Sequence, residues 1–112
     1  MTKVLNAFSI QMVTSLLQDP GFGLDVRIER IGLDMAKKLV ADGVESAVGH
    51  QDIAAVISEQ LGVTVPANRV NVQLAPREEV LVGQYVGGRL PEGATTLPEG
   101  ARIDWFLVRI GE

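Results

Sequence analysis

Cysteine is absent from this chain of 112 residues, and histidine occurs once, at position 50. The missing thiols remove thiolate catalysis, disulfide frameworks and Cys-based zinc sites, and make a cytoplasmic protein the expectation. A single histidine without Cys is a poor metal site, so neither a metal nor another cofactor is expected. No run approaches the roughly eighteen consecutive apolar residues of a membrane span, and Met1 to Phe8 lacks the charged-then-apolar build of a signal peptide. Missing too are a phosphate loop ending in Gly-Lys-Ser or Gly-Lys-Thr and a Gly-x-Gly-x-x-Gly fingerprint after a strand, so folds for nucleoside triphosphates and dinucleotides are not signalled. Positive charge is also short. The net charge of −4 and pI near 4.9 disfavour a protein that holds long nucleic acid by neutralising phosphates. A small anion remains possible, because a few arginines and helix N-termini focus a local positive field inside a cleft.

What is present suffices for one domain over residues 1–112, since a chain of this length buries roughly two-thirds of its unfolded surface without crosslinks. Thr2 to Phe8 reads as a strand, and Ser9 is placed to cap a helix whose apolar stripe is Ile10, Met12, Val13, Leu16 and Leu17. After the breaker cluster Asp19 to Gly23, Leu24, Val26 and Ile28 alternate with charged residues as in a half-buried strand. Met35, Ala36, Leu39 and Val40 mark a short helix, and Val44 to Val48 a short extended or irregular segment. Gly49 and His50 then lead into a helix bearing Ile53, Ala54, Val56, Ile57 and Leu61 and stopped by Gly62. Val70, Val72 and Leu74 alternate with polar residues, and a turn at Ala75 to Glu79 predicts an antiparallel hairpin with Val80 to Val86. Ile103 to Ile110 is the last strand and reads as buried on both faces, which makes Trp105, Phe106 and Val108 core residues. Together these elements predict an α/β fold in which helices flank a central mixed, partly antiparallel β-sheet.

Gly87 to Gly100 is long for a plain connection and is a candidate functional loop or lid. Inside it Leu90-Pro91-Glu92-Gly93-Ala94 recurs as Leu97-Pro98-Glu99-Gly100-Ala101.

His50 sits where a helix begins, as either a capping residue or a proton donor in general acid catalysis. Asn6 and Ser9 lie where the first strand passes into a helix, a place that offers N–H groups to an anion. Capping explains Ser9 well and Asn6 poorly, because Asn is depleted in strands and here interrupts Val4, Leu5, Ala7 and Phe8. Arg69 and Arg89 are either solvated surface charges or bidentate phosphate clamps. Glu92 stands three residues after Arg89, the spacing of a local ion pair. Gln84 is either an outward polar residue of a half-exposed sheet or a reader of base edges.

In order along the chain, Leu5-Asn6-Ala7-Phe8-Ser9-Ile10, Gly49-His50 before Ile53 to Gly62, Asn68-Arg69-Val70, Gln84, Arg89-Leu90 and Glu92-Gly93 resemble the type III anti-CRISPR ring nuclease family. Members occur in archaeal viruses, phages and bacterial CRISPR loci, and degrade the cyclic tetra-adenylate that activates type III effector nucleases. The resemblance implies a homodimer with the ring bound across its two-fold axis. It implies metal-independent cleavage in which the substrate's own 2′-hydroxyl attacks the phosphate and His50 protonates the leaving 5′-oxygen. By the same resemblance Arg89 stabilises transition-state charge, Glu92 orients groups at the scissile phosphate, and Asn6, Ser9, Arg69 and Gln84 hold phosphates and bases. The implied products are linear di-adenylates ending in a 2′,3′-cyclic phosphate. Viral relatives carry a longer helical insert after Glu92, where this chain has the compact Ala94 to Gly100, and the duplication lets Glu99 compete for the role of Glu92, though only Glu92 keeps the spacing from Arg89. A sequestering protein for the same ring, and an interaction protein without a ligand, are the competing readings.

Overall fold

The structure, a computed structural model, describes residues 1–111. Five strands, β1 (Thr2–Leu5), β2 (Val26–Ile31), β3 (Val44–Ser46), β4 (Glu79–Val86) and β5 (Arg102–Ile110), form one sheet in the order β2-β5-β4-β1-β3. Helices α1 (Leu33–Leu39) and α2 (Gln51–Leu61) and a 3₁₀ helix (Ile10–Leu16) complete a small single-domain α/β fold. The sheet is mixed, as expected. β1 is parallel to both β3 and β4, whereas β5 is antiparallel to β4 and β2. The carboxyl ends of β1, β3 and β4 therefore share one edge with the start of β5, where Arg102 pairs with Val86.

Alternation along the strands supplies a core on each face of the sheet. On one side Val4, Leu81, Ile103 and Trp105 pack with Ala36 and Val40 of the α1 segment and Ala54, Val56, Ile57 and Leu61 of α2. On the other, Leu5, Val80, Val82, Val108 and Ile110 meet Val13 of the 3₁₀ helix and Leu74. The central strands need apolar residues at successive positions for this reason, and the double-sided burial expected of β5 is observed. Gly83 is required by the same packing: a Cβ there would stand 2.7 Å from Cζ3 of Trp105, its cross-strand partner.

Three local expectations are corrected. β1 ends at Leu5 rather than Phe8; Asn6 leaves the ladder and its side chain accepts the N–H of Gly49 at 3.3 Å. The helix after Ser9 is 3₁₀, with the Met12 N–H bonded to the Ser9 carbonyl at 3.1 Å. Ser9 occupies the cap position but makes no side-chain cap bond. Val13 is its one fully buried residue, Met12, Leu16 and Leu17 pack only partly buried and Ile10 is exposed, an anchoring that does not repay the nucleation of a longer α-helix. Finally, Val70 to Leu74 is not a strand and forms no hairpin with β4. Both edges of β4 are taken by β1 and β5, while Leu74 is buried and its N–H bonds the Met12 carbonyl at 2.7 Å.

The turn before β4 is fixed by Glu78. One carboxylate oxygen accepts the Ala75 N–H at 2.9 Å and the other meets Nζ of Lys3 on β1 at 2.8 Å. Burial pushes the Glu78 carboxyl up, but the Lys3 hydrogen bond, the Ala75 N–H and the Lys3 charge together outweigh it and hold the group below its ordinary 4.5.

Candidate active site

α2 begins at the carboxyl edge of the sheet with His50 as its N-cap. The ring's Nδ1 accepts the Ile53 N–H at 3.3 Å, and the His50 carbonyl accepts the Ala54 N–H at 2.9 Å. The capping expectation for His50 is therefore met in full. Since Nδ1 is an acceptor, the neutral ring carries its proton on Nε2.

The long loop after β4 folds back over this helix start and encloses an open cleft of about 460 Å³. His50, Arg89 and Glu92 all line it, although they come from positions far apart in the chain. Sequence reasoning missed Asp52 and Tyr85, which line it as well. Asp52 Oδ1 accepts the Gly93 N–H at 3.2 Å and so ties the segment bearing Glu92 to the first turn of α2. The Tyr85 hydroxyl donates to the Gly88 carbonyl at 2.9 Å and braces the segment bearing Arg89.

The internal duplication becomes a structural one. The Ala94 N–H bonds the Pro91 carbonyl at 3.1 Å, and the Ala101 N–H bonds the Pro98 carbonyl at 3.0 Å. Gly93 and Gly100 adopt positive φ at 79° and 82°, the left-handed position of a type II turn. Leu90 and Leu97 pack on the α1/α2 core. Each copy is thus a turn pinned by its leucine, and of the competing glutamates Glu92 lines the cleft and Glu99 does not.

Asn6 and Arg69 stand beside the cleft and outside its lining, around the residue before His50. Asn6 holds the Gly49 N–H, and the Arg69 stem packs over Gly49, its Cγ 3.5 Å from where a Cβ would be. Arg69 is placed there by Asn68, whose backbone N–H bonds the Val48 carbonyl at 2.7 Å and whose Nδ2 donates to the Ser46 carbonyl at 2.7 Å. Ser9 is exposed at the head of the 3₁₀ helix. Gln84 is not brought to His50. It lines a separate groove with Phe8, Ile28, Val82, Phe106 and Val108 on the other face of the sheet. Among the described residues no three His, Asp or Glu side chains gather as a metal site, and no helix is long and apolar enough to cross a membrane.

What this arrangement offers is a proton-bearing imidazole, a fixed cation, a carboxylate and the N-terminus of an eleven-residue helix at the carboxyl ends of parallel strands. That edge is where open α/β sheets generally bind ligands.

B116 of Sulfolobus turreted icosahedral virus has the same fold, with a TM-score of 0.72 and 22% sequence identity over 96% of this chain and 97% of that one. No curated protein matches the sequence. The model of the STIV B116-like family matches residues 2–103, and the chain belongs to that family.

Proposed function

We propose that the protein is a metal-independent ring nuclease that cuts cyclic tetra-adenylate and so switches off type III CRISPR signalling. The observation that carries this reading is the convergence of His50, Arg89 and Glu92 on one cleft. The ring-nuclease resemblance assigns chemistry to these same three residues. In the reaction, the 2′-oxygen attacks its neighbouring phosphorus and its hydroxyl proton passes to solvent, the P–O5′ bond breaks, and His50 in its doubly protonated form gives the Nε2 proton to the departing 5′-oxygen and returns to the neutral ring. Arg89 offsets the charge gathering on the phosphoryl oxygens. Glu92 orients groups at that phosphate, and Asp52 positions the turn that carries it through the Gly93 N–H. The linear di-adenylate product ends in a 2′,3′-cyclic phosphate.

Asn6 and Arg69, beside Gly49, hold a neighbouring phosphate, and Ser9 and Gln84 meet the ring where it passes beyond the cleft. The protein acts as a cytoplasmic homodimer with the ring across its two-fold axis, so that each chain supplies one His50 to a four-fold ligand. The acidic net charge is no obstacle, because Arg69, Arg89 and the α2 N-terminus are concentrated at one edge of the sheet.

Incubated with cyclic tetra-adenylate in excess EDTA, the protein is expected to yield linear di-adenylate. His50→Ala is expected to lower the cleavage rate by on the order of 10²- to 10⁴-fold while retaining binding. An intact ring after long incubation overturns the reading, and depletion of free ring without product identifies a sequestering protein instead.

A further inference from the structure

Arg89 is the one arginine or lysine that lines the cleft. Two glycines, Gly87 and Gly88, separate it from the last rung of β4, where Val86 pairs with Arg102. Gly87 is held by close packing, since a Cβ there would stand 2.8 Å from Cβ of Ala101 and 3.1 Å from the Tyr85 hydroxyl oxygen. Gly88 has no such packing: a Cβ at that position would meet nothing within 4 Å. A glycine in open space leaves the backbone its full range of conformations. The Arg89 side chain is exposed and, among the described residues, makes no ion pair, so the pair with Glu92 that the spacing allows is not formed.

What fixes this stretch on the N-terminal side of Arg89 is one side-chain bond. Tyr85 stands on β4 opposite Ile103, its half-buried ring packs on the core shared by the sheet and α2, and its hydroxyl donates to the Gly88 carbonyl at 2.9 Å. Leu90, anchored in the same core, holds the other side of Arg89. The Gly88 carbonyl belongs to the planar peptide that also contains the Arg89 nitrogen, so a bond to it sets the plane from which the Arg89 side chain departs. A simpler role for the hydroxyl would be the satisfaction of its own hydrogen bond. The contact is exposed, however, and water would serve that need equally well. Orientation of the peptide is what the contact with Gly88 adds.

We infer that Tyr85 is a positioning residue for the cleavage reaction: its hydroxyl fixes the Gly88–Arg89 peptide and so aims the guanidinium at the phosphate under attack. The inference rests on the nuclease reading, which gives Arg89 the developing charge to stabilise. Such stabilisation is effective where the donors already point before the reaction begins. A guanidinium that must first be ordered therefore lowers the rate of the bound substrate rather than its affinity. The two parts of Tyr85 have separable tasks, because the ring packs on the core and the hydroxyl alone reaches Gly88. Tyr85→Phe keeps the first and removes the second. Loss of one neutral hydrogen bond open to solvent corresponds to a change of about three- to tenfold, well short of the loss expected when a charge-stabilising donor itself is removed.

Single-turnover cleavage of cyclic tetra-adenylate is measured across ring concentrations for the full-length parent, Tyr85→Phe, Arg89→Ala and the double variant. Tyr85→Phe is expected to unfold close to the parent temperature, to lower the maximal rate constant about three- to tenfold, and to leave the half-saturating ring concentration within about twofold of the parent. In the Arg89→Ala background the same change is expected to shift the rate by less than about twofold, because a residue that acts through Arg89 has nothing left to act on. A tyrosine that serves only the fold would lower both backgrounds alike. Additive losses, a parent-like rate in Tyr85→Phe, or a loss confined to weaker binding each overturn the inference. A second readout needs no substrate: in the ligand-free, isotope-labelled chain, amide relaxation is expected to show Gly88 and Arg89 more mobile in Tyr85→Phe, with Gly83 unchanged. A parent that leaves the ring intact loses the nuclease reading, and the hold of Tyr85 on Arg89 is then decided by these amides, whose unchanged order overturns it. A parent that cuts the ring while Tyr85→Phe matches it in rate loses this inference alone.

Discussion

At position 50 the helix cap and the remaining proton of the neutral ring fall on different nitrogens of one imidazole. Nδ1 is spent on the Ile53 N–H, which leaves the proton of the neutral ring on Nε2, in a residue that lines the cleft. A doubly protonated ring must give up the cap, so helix stability and acid chemistry are coupled through one side chain. Two substitutions separate them. Asparagine is among the best N-caps but cannot donate a proton as an acid. His50→Asn is therefore expected to unfold near the parent's temperature while losing cleavage, and His50→Ala to lose cleavage and also about 1 kcal/mol of stability. Thermal unfolding and single-turnover cleavage measure both quantities, and an Asn variant that cuts at the parent rate would reduce His50 to a cap. The sequence alone allows both roles at His50 and marks Asn6 as out of place in a strand. Asp52 and Tyr85 stay hidden there for a physical reason. An acid in the first turn of a helix already suits the helix dipole, and a Tyr on a strand already suits a sheet, so neither residue type demands the loop that returns to meet it.

Among the elements, β4 shows where pattern is informative and where it stops. Its position beside β5 is written partly into Gly83, which in a strand interior signals a close approach. The approaching group is the Trp105 indole. Gly83→Ala is expected to destabilise the fold by about 1–3 kcal/mol through overpacking, with a changed Trp105 emission spectrum; an unchanged unfolding midpoint would show that the indole has room to yield. The alternation at Val70 to Leu74 is equally regular, but alternation reports a period and not a partner. That segment is satisfied by one buried leucine and by hydrogen bonds to the 3₁₀ helix, including Gln73 Nε2 to the Gln11 carbonyl at 2.7 Å. The duplicated Leu-Pro-Glu-Gly-Ala is legible as a repeat. Its conversion into twin turns follows from the two glycines, and the spacing from Arg89 already favours Glu92 over Glu99, whereas the tie from Asp52 to Gly93 that holds the first copy at the cleft becomes visible only in three dimensions.

For the molecule as a whole, acid stability pits a general effect against a specific one. Lowering the pH from neutrality toward the pI near 4.9 reduces the net negative charge, and relief of self-repulsion favours the compact state. Glu78 acts in the opposite sense. Its carboxyl is held below 4.5 in the folded chain by Lys3 and the Ala75 N–H against the upward pull of burial. The unfolded chain therefore binds that proton more readily than the folded one. Stability from this group is fully present above about 4.5 and is lost as the pH falls through the lower, folded value. The contact joins β1 to the turn that launches β4, two neighbours in the centre of the sheet, so its loss loosens the strands on which the cleft is mounted. Urea midpoints measured from pH 7 to pH 3 are expected to hold or rise slightly toward pH 5 and then decline. Glu78→Gln keeps a side-chain acceptor for Ala75 but removes the charge facing Lys3, so it is expected to start lower by about 1 kcal/mol or less and to decline less steeply below pH 4.5. Parallel acid limbs for parent and variant would assign the acid loss to other carboxylates and leave the Lys3–Glu78 contact without a net role in stability.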